Sequence, residues 1–281
     1  MQTDCHILRR SDDRTALLGA AVLAALVVFA VATPFFTPDP QAQSVQVLQG
    51  PSATHWLGTN DVGQDVLARL ASATRTSLAI AFGAATLATL LSLATGLGAA
   101  LGPSWLDRLL MRTVDVFLVL PTLVVLILIA AFLPPTRTTT AVLIALFGWA
   151  GGARIVRAQA LALKQQTHVT AARTFGAGWP RIARSHLIPE LSPILVVGFV
   201  RRARMAVLLE AGLAFIGISP PDTPSWGAML RHALAFTYLP AWKWWLLPPG
   251  ILLSVLMLAL VLTGQTLESH LDPRTRTTDR F

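Results

Sequence analysis

Long apolar stretches follow one another along this chain, separated by shorter polar connections. They predict six helices, at residues 15–33, 76–101, about 113–133, from 138 to beyond 153, about 187–218, and 244–267. A helix of about 20 residues crosses the ~30 Å hydrocarbon core of a bilayer. The pattern therefore predicts an all-α polytopic membrane protein with six transmembrane helices.

The composition supports this interpretation. Hydrophobic residues make up 54% of the 281 residues and charged residues only 13%, whereas soluble domains carry about 25% charged residues. A water-facing surface needs more charge than this, so the composition excludes a soluble globular protein, a disordered tail and a fibrous repeat. The single cysteine, Cys5, excludes an internal disulfide, and the six histidines show no metal-ligand spacing.

Basic residues predict the orientation of the chain. With the N-terminus in the cytoplasm, fourteen of the 22 basic residues fall on the inner side, five on the outer side and three within the fifth helix. Because Lys and Arg concentrate in cytoplasmic loops, both termini are predicted to be cytoplasmic. The predicted segments are a cytoplasmic N-terminus at 1–14, a first transmembrane helix at 15–34, an external segment at 35–75, a transmembrane core at 76–270 and a cytoplasmic tail at 271–281.

The chain lacks the common sequence signatures of nucleotide binding and hydrolysis. It contains no G-x-x-x-x-G-K-[ST] loop for ATP, no H-E-x-x-H motif and no G-x-S-x-G motif. We therefore expect no catalytic site, no metal site and no cofactor in this chain.

The predicted cytoplasmic loop at 163–189 is long for a connection between two spans, which makes it a functional candidate. It contains the sequence Thr170-Ala171-Ala172-Arg173-Thr174-Phe175-Gly176, and Ile188-Pro189 begins twelve residues after that glycine. This resembles the EAA loop of permease subunits from binding-protein-dependent ABC importers. Both alanines, the glycine and the proline match in register, Ile188 takes the place of a leucine, and Thr170 stands where the motif has Glu.

Four further segments resemble a narrower group, the second permease of dipeptide, oligopeptide and nickel importers. They are His55–Asp65 (which has Asn60 and Gln64 where the family pattern has Asp and Arg), Asp115–Pro121, Ala153–Ala158 and Pro224–Met229. Leu271-Asp272-Pro273-Arg274 is also similar to the family. Asn60 and Gln64 are uncharged, so we do not expect this segment to keep any salt bridge that Asp and Arg at these positions make elsewhere in the family.

The resemblance implies a function for the loop. Residues 166–175 can form a short helix, ended by Gly176, that docks in a cleft of an ATPase subunit, and ATP-driven closure then rocks the bundle between inward and outward access. The alternative is an amphipathic helix lying on the inner leaflet. Thr170 can still cap the helix by a hydrogen bond but brings no charge, so coupling is expected to depend on shape and on Arg173.

The resemblance also implies partners and a location. These are a homologous second permease, two ATPase subunits that bind ATP and Mg, and an extracytoplasmic substrate-binding protein, assembled in the cytoplasmic (inner) membrane. The expected cargo is a peptide or a related small solute such as nickel or a metal chelate, and the sequence does not decide among them. A membrane-embedded enzyme and an ATP-independent channel are the alternatives.

The fifth predicted helix contains a cluster of charges. At 1.5 Å per residue its 32 residues span about 48 Å, which places Arg201, Arg202 and Arg204 near mid-depth, where facing lipid would cost on the order of 3 kcal/mol each. In one interpretation Arg201 and Arg204 line the translocation path and attract an anionic cargo. In the other they pair with Glu210 or with carboxylates of a second permease. Glu210 is also a candidate for the path, although a structural role suits it better.

Overall fold

The computed structural model describes residues 2–220 and 223–271, apart from the side chains of residues 2–16, 34, 270 and 271. The predicted tail beyond residue 271, with most of the 271–274 motif, lies outside the described residues. Within them the chain forms α-helices and no strand. The α-helices are α1 Gln2–Ala32, α2 Val66–Leu101, α3 Ser104–Val119, α4 Thr122–Ala130, α5 Arg137–Gly148, α6 Ala150–Lys164, α7 Thr167–Thr174, α8 Trp179–Ile182, α9 Ile188–Phe215, α10 Trp226–Leu234, α11 Trp242–Trp245 and α12 Leu247–Leu271.

Helix α2 is the longest element and begins ten residues before the predicted start at 76. Its N-cap is Asp65, whose carboxylate accepts a hydrogen bond of 2.8 Å from the backbone N–H of Ala68. The early turns carry two arginines, within the segment predicted to be external. Arg69 donates to the side chain of Gln64 and Arg75 donates to the carbonyl of Ala30, so both charges have partners and the helix continues through them.

The third and fourth predicted helices are each broken in two. Helices α3 and α4 meet at an angle of 87° and α5 and α6 at 46°. The continuous helix predicted over 113–133 is therefore wrong, because Pro121 lacks a backbone N–H and keeps Leu120 in an extended conformation (φ −70°, ψ 130°). The second bend falls at Trp149, which stands between Gly148 and the pair Gly151-Gly152.

Helices α9 and α12 run antiparallel. Phe215, at the end of α9, shares an apolar groove with Leu247 at the start of α12, and further along, Val200 lies near Gly264 and Arg201 near Glu268. Helix α1 packs along α12 as well. The chain therefore forms a bundle in which α2 and α9 pack together, α12 packs on α9, and α1 packs on α12 and α2.

Two helices are long and apolar enough to cross a membrane, at 66–101 and at 242–269, and each bent pair adds one more candidate if it counts as a single span. Residues 17–32 form a shorter apolar helix. Helix α9 is long enough, with 28 residues, but three arginines and two glutamates interrupt it. The all-α prediction thus agrees with the described residues, while the number of crossings stays a prediction.

Close packing of α10 against α9 depends on one glycine. A Cβ added to Gly227 would lie 2.2 Å from the carbonyl oxygen of Ala211, which is backbone and cannot rotate away. The neighbouring Trp226 is completely buried. Gly227 therefore lets the two helices approach closely enough for this tryptophan to be enclosed.

We predict that Gly227→Ala destabilises the chain by about 1–3 kcal/mol, because α10 must move away from α9. Gly212→Ala is the matched control on α9, since a Cβ there meets nothing within 4 Å, and Ala is favoured over Gly in a helix by up to about 1 kcal/mol. The apparent Tm of the detergent-purified protein should fall only in the first variant. An equal Tm for both variants would contradict this account of the α9–α10 contact.

Candidate functional site: an exposed helix and an arginine groove

The short helix predicted over 166–175 is present as α7, within one residue at each end. A single side chain, Val169, anchors it, with 1% of its surface exposed. Val169 belongs to a second apolar cluster, distinct from the main core, that joins α2, α6, α7, α8 and α9. Its buried members are Ala100, Val156, Ala160, Val169, Ile182, Leu187 and Leu191.

Helix α7 ends at the glycine of the loop motif. Gly176 has a φ of +82°, in the left-handed region that favours glycine. The N–H of Ala177 bonds to the carbonyl of Ala172 and the N–H of Gly176 to that of Arg173, both at 3.0 Å. This is a Schellman motif, which satisfies two of the last carbonyls of the helix and turns the chain back towards α8.

The outer surface of α7 is exposed. Thr170, Ala171, Arg173 and Phe175 are all solvent-accessible, and Phe175 is 91% exposed. Thr170 does not cap the helix as expected, because it lies in the fourth helical position and its hydroxyl donates to the carbonyl of Gln166, at 3.0 Å. The exposed face therefore combines small side chains, one cation and one large apolar group.

Contacts around Trp179 hold α7 against the bundle. The charged groups of Lys164 and Arg173 lie 4.8 and 4.7 Å from the ring centroid of this tryptophan. Lys164 also donates to the carbonyl of Ala100 at the end of α2, at 2.7 Å. The sequence analysis did not identify Trp179 as a functional residue. The one feature of the sequence that could have indicated it is an aromatic residue between the helix breakers Gly178 and Pro180.

A second link joins α7 to α9. His168 Nε2 lies 2.8 Å from Glu190 Oε1, and the rings of His168 and His186 stack with centroids 5.8 Å apart. Ile188 is the first residue of α9 and Pro189 the second, directly after a π-helical turn at Ala183–Leu187. The loop motif and the start of α9 thus form one connected unit.

Two ion pairs connect α3 to α6 near the same end of the bundle. Arg157 Nε and Nη2 donate to the two carboxylate oxygens of Asp107, at 2.5 and 2.6 Å, which is a bidentate arrangement. Arg154 Nη2 lies 2.5 Å from Asp115 Oδ1, and both side chains are about half exposed.

The arginines of α9 occupy different surroundings. Arg202 donates to the hydroxyls of Thr89 and Ser92 on α2, at 3.1 and 3.2 Å. Arg201 Nε lies 3.8 Å from Glu268 Oε1, with both side chains more than half exposed. Arg201 and Arg202 line a groove between α2, α5, α6 and α9, and Arg204 does not. The predicted pair for one face was Arg201 with Arg204, whereas the structure brings Arg201 and Arg202 to the groove.

Glu210 is buried away from those arginines, at 3% exposure. Ser77 Oγ donates to its carboxylate at 3.0 Å, and Ser225 supplies a second hydroxyl. Pairing with Arg201 or Arg204 does not occur, because these residues lie about 9–14 Å away along the same helix. Trp226 Nε1 donates to Thr74 Oγ1 nearby, at 3.2 Å, so Glu210 belongs to a polar cluster that ties α9 and α10 to α2.

Asn60 and Gln64, which stand where the family pattern has Asp and Arg, contact each other. Asn60 Nδ2 donates to Gln64 Oε1 at 2.9 Å, and Asn60 Oδ1 accepts from the backbone N–H groups of Val62 and Gln64. The two positions expected to lack a salt bridge are therefore joined by a hydrogen bond. His55 Nδ1 lies 2.8 Å from the capping residue Asp65. Within the described residues, no group of His, Cys, Asp and Glu is arranged to hold a metal ion.

Comparison with known proteins defines the class of this chain. The family model of the binding-protein-dependent transport system inner membrane component matches residues 91–277. The chain is 35% identical to a candidate peptide permease of Brucella suis biovar 1, over 94% of this chain and 88% of that protein. It is 34% identical to the dipeptide transport system permease protein DppC of Bacillus subtilis, over 95% and 84%. It is also 34% identical to the nickel transport system permease protein NikC of Escherichia coli K12, over 91% and 93%.

These matches and the all-helical fold identify an inner-membrane permease of ABC importers. Within that class, the chain belongs to the dipeptide, oligopeptide and nickel family, which confirms the resemblance seen in the loop motif.

We predict that Val169→Ala loosens α7. The change removes two methyl groups from a buried site, at about 0.8 kcal/mol each, and about 1.4 kcal/mol shifts an opening equilibrium tenfold. Trypsin cleavage after Arg173 should therefore be roughly tenfold faster than in the unchanged protein. The control is Thr170→Ala on the exposed face, which should leave the rate unchanged. Equal rates in both variants would show that Val169 does not hold the helix.

Proposed function

We propose that this chain carries a peptide or a related small solute across the inner membrane by alternating access, driven by ATP hydrolysis on separate ATPase subunits. The observation that carries the proposal is α7, a helix anchored by one buried side chain with its outer face exposed. A surface with Ala171 and a half-buried Ala172 allows another protein to approach closely. Phe175 and Arg173 at its edge supply an apolar and a cationic contact.

The packing behind α7 suits the transmission of movement. The second apolar cluster joins α7 to α2, α6 and α9, and the contacts of Trp179 and His168 add polar links. Well-packed elements move as units rather than deforming continuously. A displacement of α7 by an ATPase subunit is therefore expected to reach α6 and α9, which line the groove.

The assembly and topology follow from the family. We infer a homologous second permease, two ATPase subunits holding ATP and Mg, and an extracytoplasmic binding protein, with this chain performing no catalysis itself. The proposed spans are α1, α2, the pair α3 and α4, the pair α5 and α6, α9, and α11 with α12, with both termini cytoplasmic. The start of α9 and the ends of α2 and α6 meet at α7, which supports placing these ends together on the cytoplasmic side.

The names of relatives suggest the range of cargo. They include a dipeptide permease, an oligopeptide permease and a nickel permease. We propose a peptide or a small solute of this range as the cargo, with the binding protein contributing much of the selection.

Ala171→Trp tests the coupling role of α7. A bulky ring on the exposed face should block docking, and a loss of about 1.4 kcal/mol or more in docking free energy would lower complex formation tenfold or more. We expect at least a tenfold loss of ATP hydrolysis stimulated by the binding protein, measured on the importer purified through this chain. Ala171→Ser is the matched control and should stay within about twofold of the unchanged importer.

The same experiment separates the alternatives. If α7 lies on the inner leaflet instead, Ala171→Trp should leave both copurification of the ATPase and its stimulated hydrolysis intact. If the chain is an ATP-independent channel or a lone membrane enzyme, no ATPase should copurify with it. Either result would overturn the proposed function.

A further inference from the structure

The groove that contains Arg201 and Arg202 is lined mostly by small or apolar residues. Its walls come from α2, α5, α6 and α9, and include Ala84, Ala88, Gly148, Gly152 and Gly198. Because these side chains are short or absent, the backbones leave an open concavity that Arg201 and Arg202 also line. No residue that lines the groove is acidic.

Arg202 is fixed at the floor of this groove. Two hydroxyls of α2, from Thr89 and Ser92, accept its hydrogen bonds. Two glycines leave it room, since a Cβ on Gly152 would lie 1.8 Å from Nη2 and one on Gly198 would lie 2.8 Å from Nη1. The guanidinium is thus held in one orientation by neutral groups, and its donors outnumber the two bonds that it makes.

The positive charge at the groove is not balanced within the described part of the chain. Hydroxyl acceptors orient Arg202 but do not neutralise it. Arg201 has one carboxylate near it, that of Glu268 at 3.8 Å, and this contact is exposed and therefore weak. Two adjacent guanidinium groups thus face a groove with at most one carboxylate beside them, where an anion is the favoured occupant.

We propose that this groove binds a carboxylate group of the transported solute, with Arg201 and Arg202 as its two ligands. The paired N–H donors of a guanidinium match the two oxygens of a carboxylate. The immobile Arg202 and the exposed Arg201 can therefore both donate hydrogen bonds to one carboxylate. The inference rests on the proposed function, because it places the groove on the translocation path, and it narrows the cargo to solutes that carry a carboxylate, such as a peptide with a free C-terminus.

The other source of an anion is a carboxylate of the second permease. The geometry favours the solute, because Arg201 and Arg202 line a concavity walled largely by glycine and alanine, with space for a ligand to enter. The Arg201 side chain is 64% exposed, so it is free to reach such a ligand. Arg204, which carries the same charge on the same helix but lies outside the groove, provides an internal comparison.

Chemical protection of Arg201 tests the proposal. The importer, containing both permeases and the ATPases, is embedded in nanodiscs without nucleotide and treated with phenylglyoxal, which modifies arginine, and each site is quantified by mass spectrometry. The probes are trialanine and trialanine amide, which lacks the terminal carboxylate. Trialanine should slow modification of Arg201 about threefold at two-thirds occupancy, the amide should not slow it, and Arg204 should react equally in all samples.

Variants of Arg202 sharpen the test. Arg202→Gln should abolish the protection by trialanine, and Arg202→Lys, which keeps a charge but not the planar donor pair, should retain only part of it. Protection that is absent in the unchanged importer, that is equal for the amide, or that survives Arg202→Gln would overturn the proposal. It would also be overturned if Arg201 reacts in this chain alone but not in the importer, because the second permease then covers it.

The test distinguishes this inference from the proposed function. The same preparation is assayed for ATP hydrolysis stimulated by the binding protein. Stimulated hydrolysis without protection of Arg201 rejects the carboxylate site and leaves the permease function intact. Protection without an associated ATPase rejects the coupling and leaves the site intact.

Discussion

The structure depends on close packing along α2. This helix contacts α1, α3, α5, α6, α9 and α10, and it can do so because its buried face consists largely of alanine, serine, threonine and glycine. Between helices in lipid there is no hydrophobic driving force, so association relies on close van der Waals contact and on hydrogen bonds. At Gly96 the approach is so close that a Cβ would lie 2.7 Å from Val156 on α6.

The same helix supplies the polar partners of its neighbours. Near one end, Thr74 accepts a hydrogen bond from Trp226 and Ser77 donates one to Glu210. Further along, Ser92 accepts one from Arg202. These three groups each meet a hydroxyl on α2, which lowers the cost of keeping them inside a bundle. The small residues therefore have two roles, since they let the helices approach and they satisfy the polar groups that the approach buries.

Much of this arrangement is readable from apolar runs and short motifs, and the rest depends on distant partners. Helix α9 and the short helix α7 fall within a few residues of their predicted bounds because proline, glycine and chain composition mark their ends. The early start of α2 is hidden, because Arg75 finds its acceptor on α1, 45 residues away. Helical spacing pairs Arg201 with Arg204, yet the hydroxyls of α2 determine that Arg202 faces the groove. The burial of Val169 depends on its neighbours in the fold, so the sequence does not distinguish it from other valines.

One hydroxyl has a consequence for how the bundle moves. Ser92 Oγ accepts from Arg202 and lies 2.7 Å from two carbonyl oxygens, that of Ala88 in the preceding turn of α2 and that of Trp149 at the joint between α5 and α6, either of which can accept its proton. A change in the angle of that joint moves the carbonyl oxygen of Trp149, which contacts Ser92 Oγ, the acceptor of Arg202. A displacement of Arg202 acts back on the joint through the same hydroxyl oxygen. By thermodynamic reciprocity, whatever stabilises one bend of the joint must favour one placement of the guanidinium, and the converse holds equally.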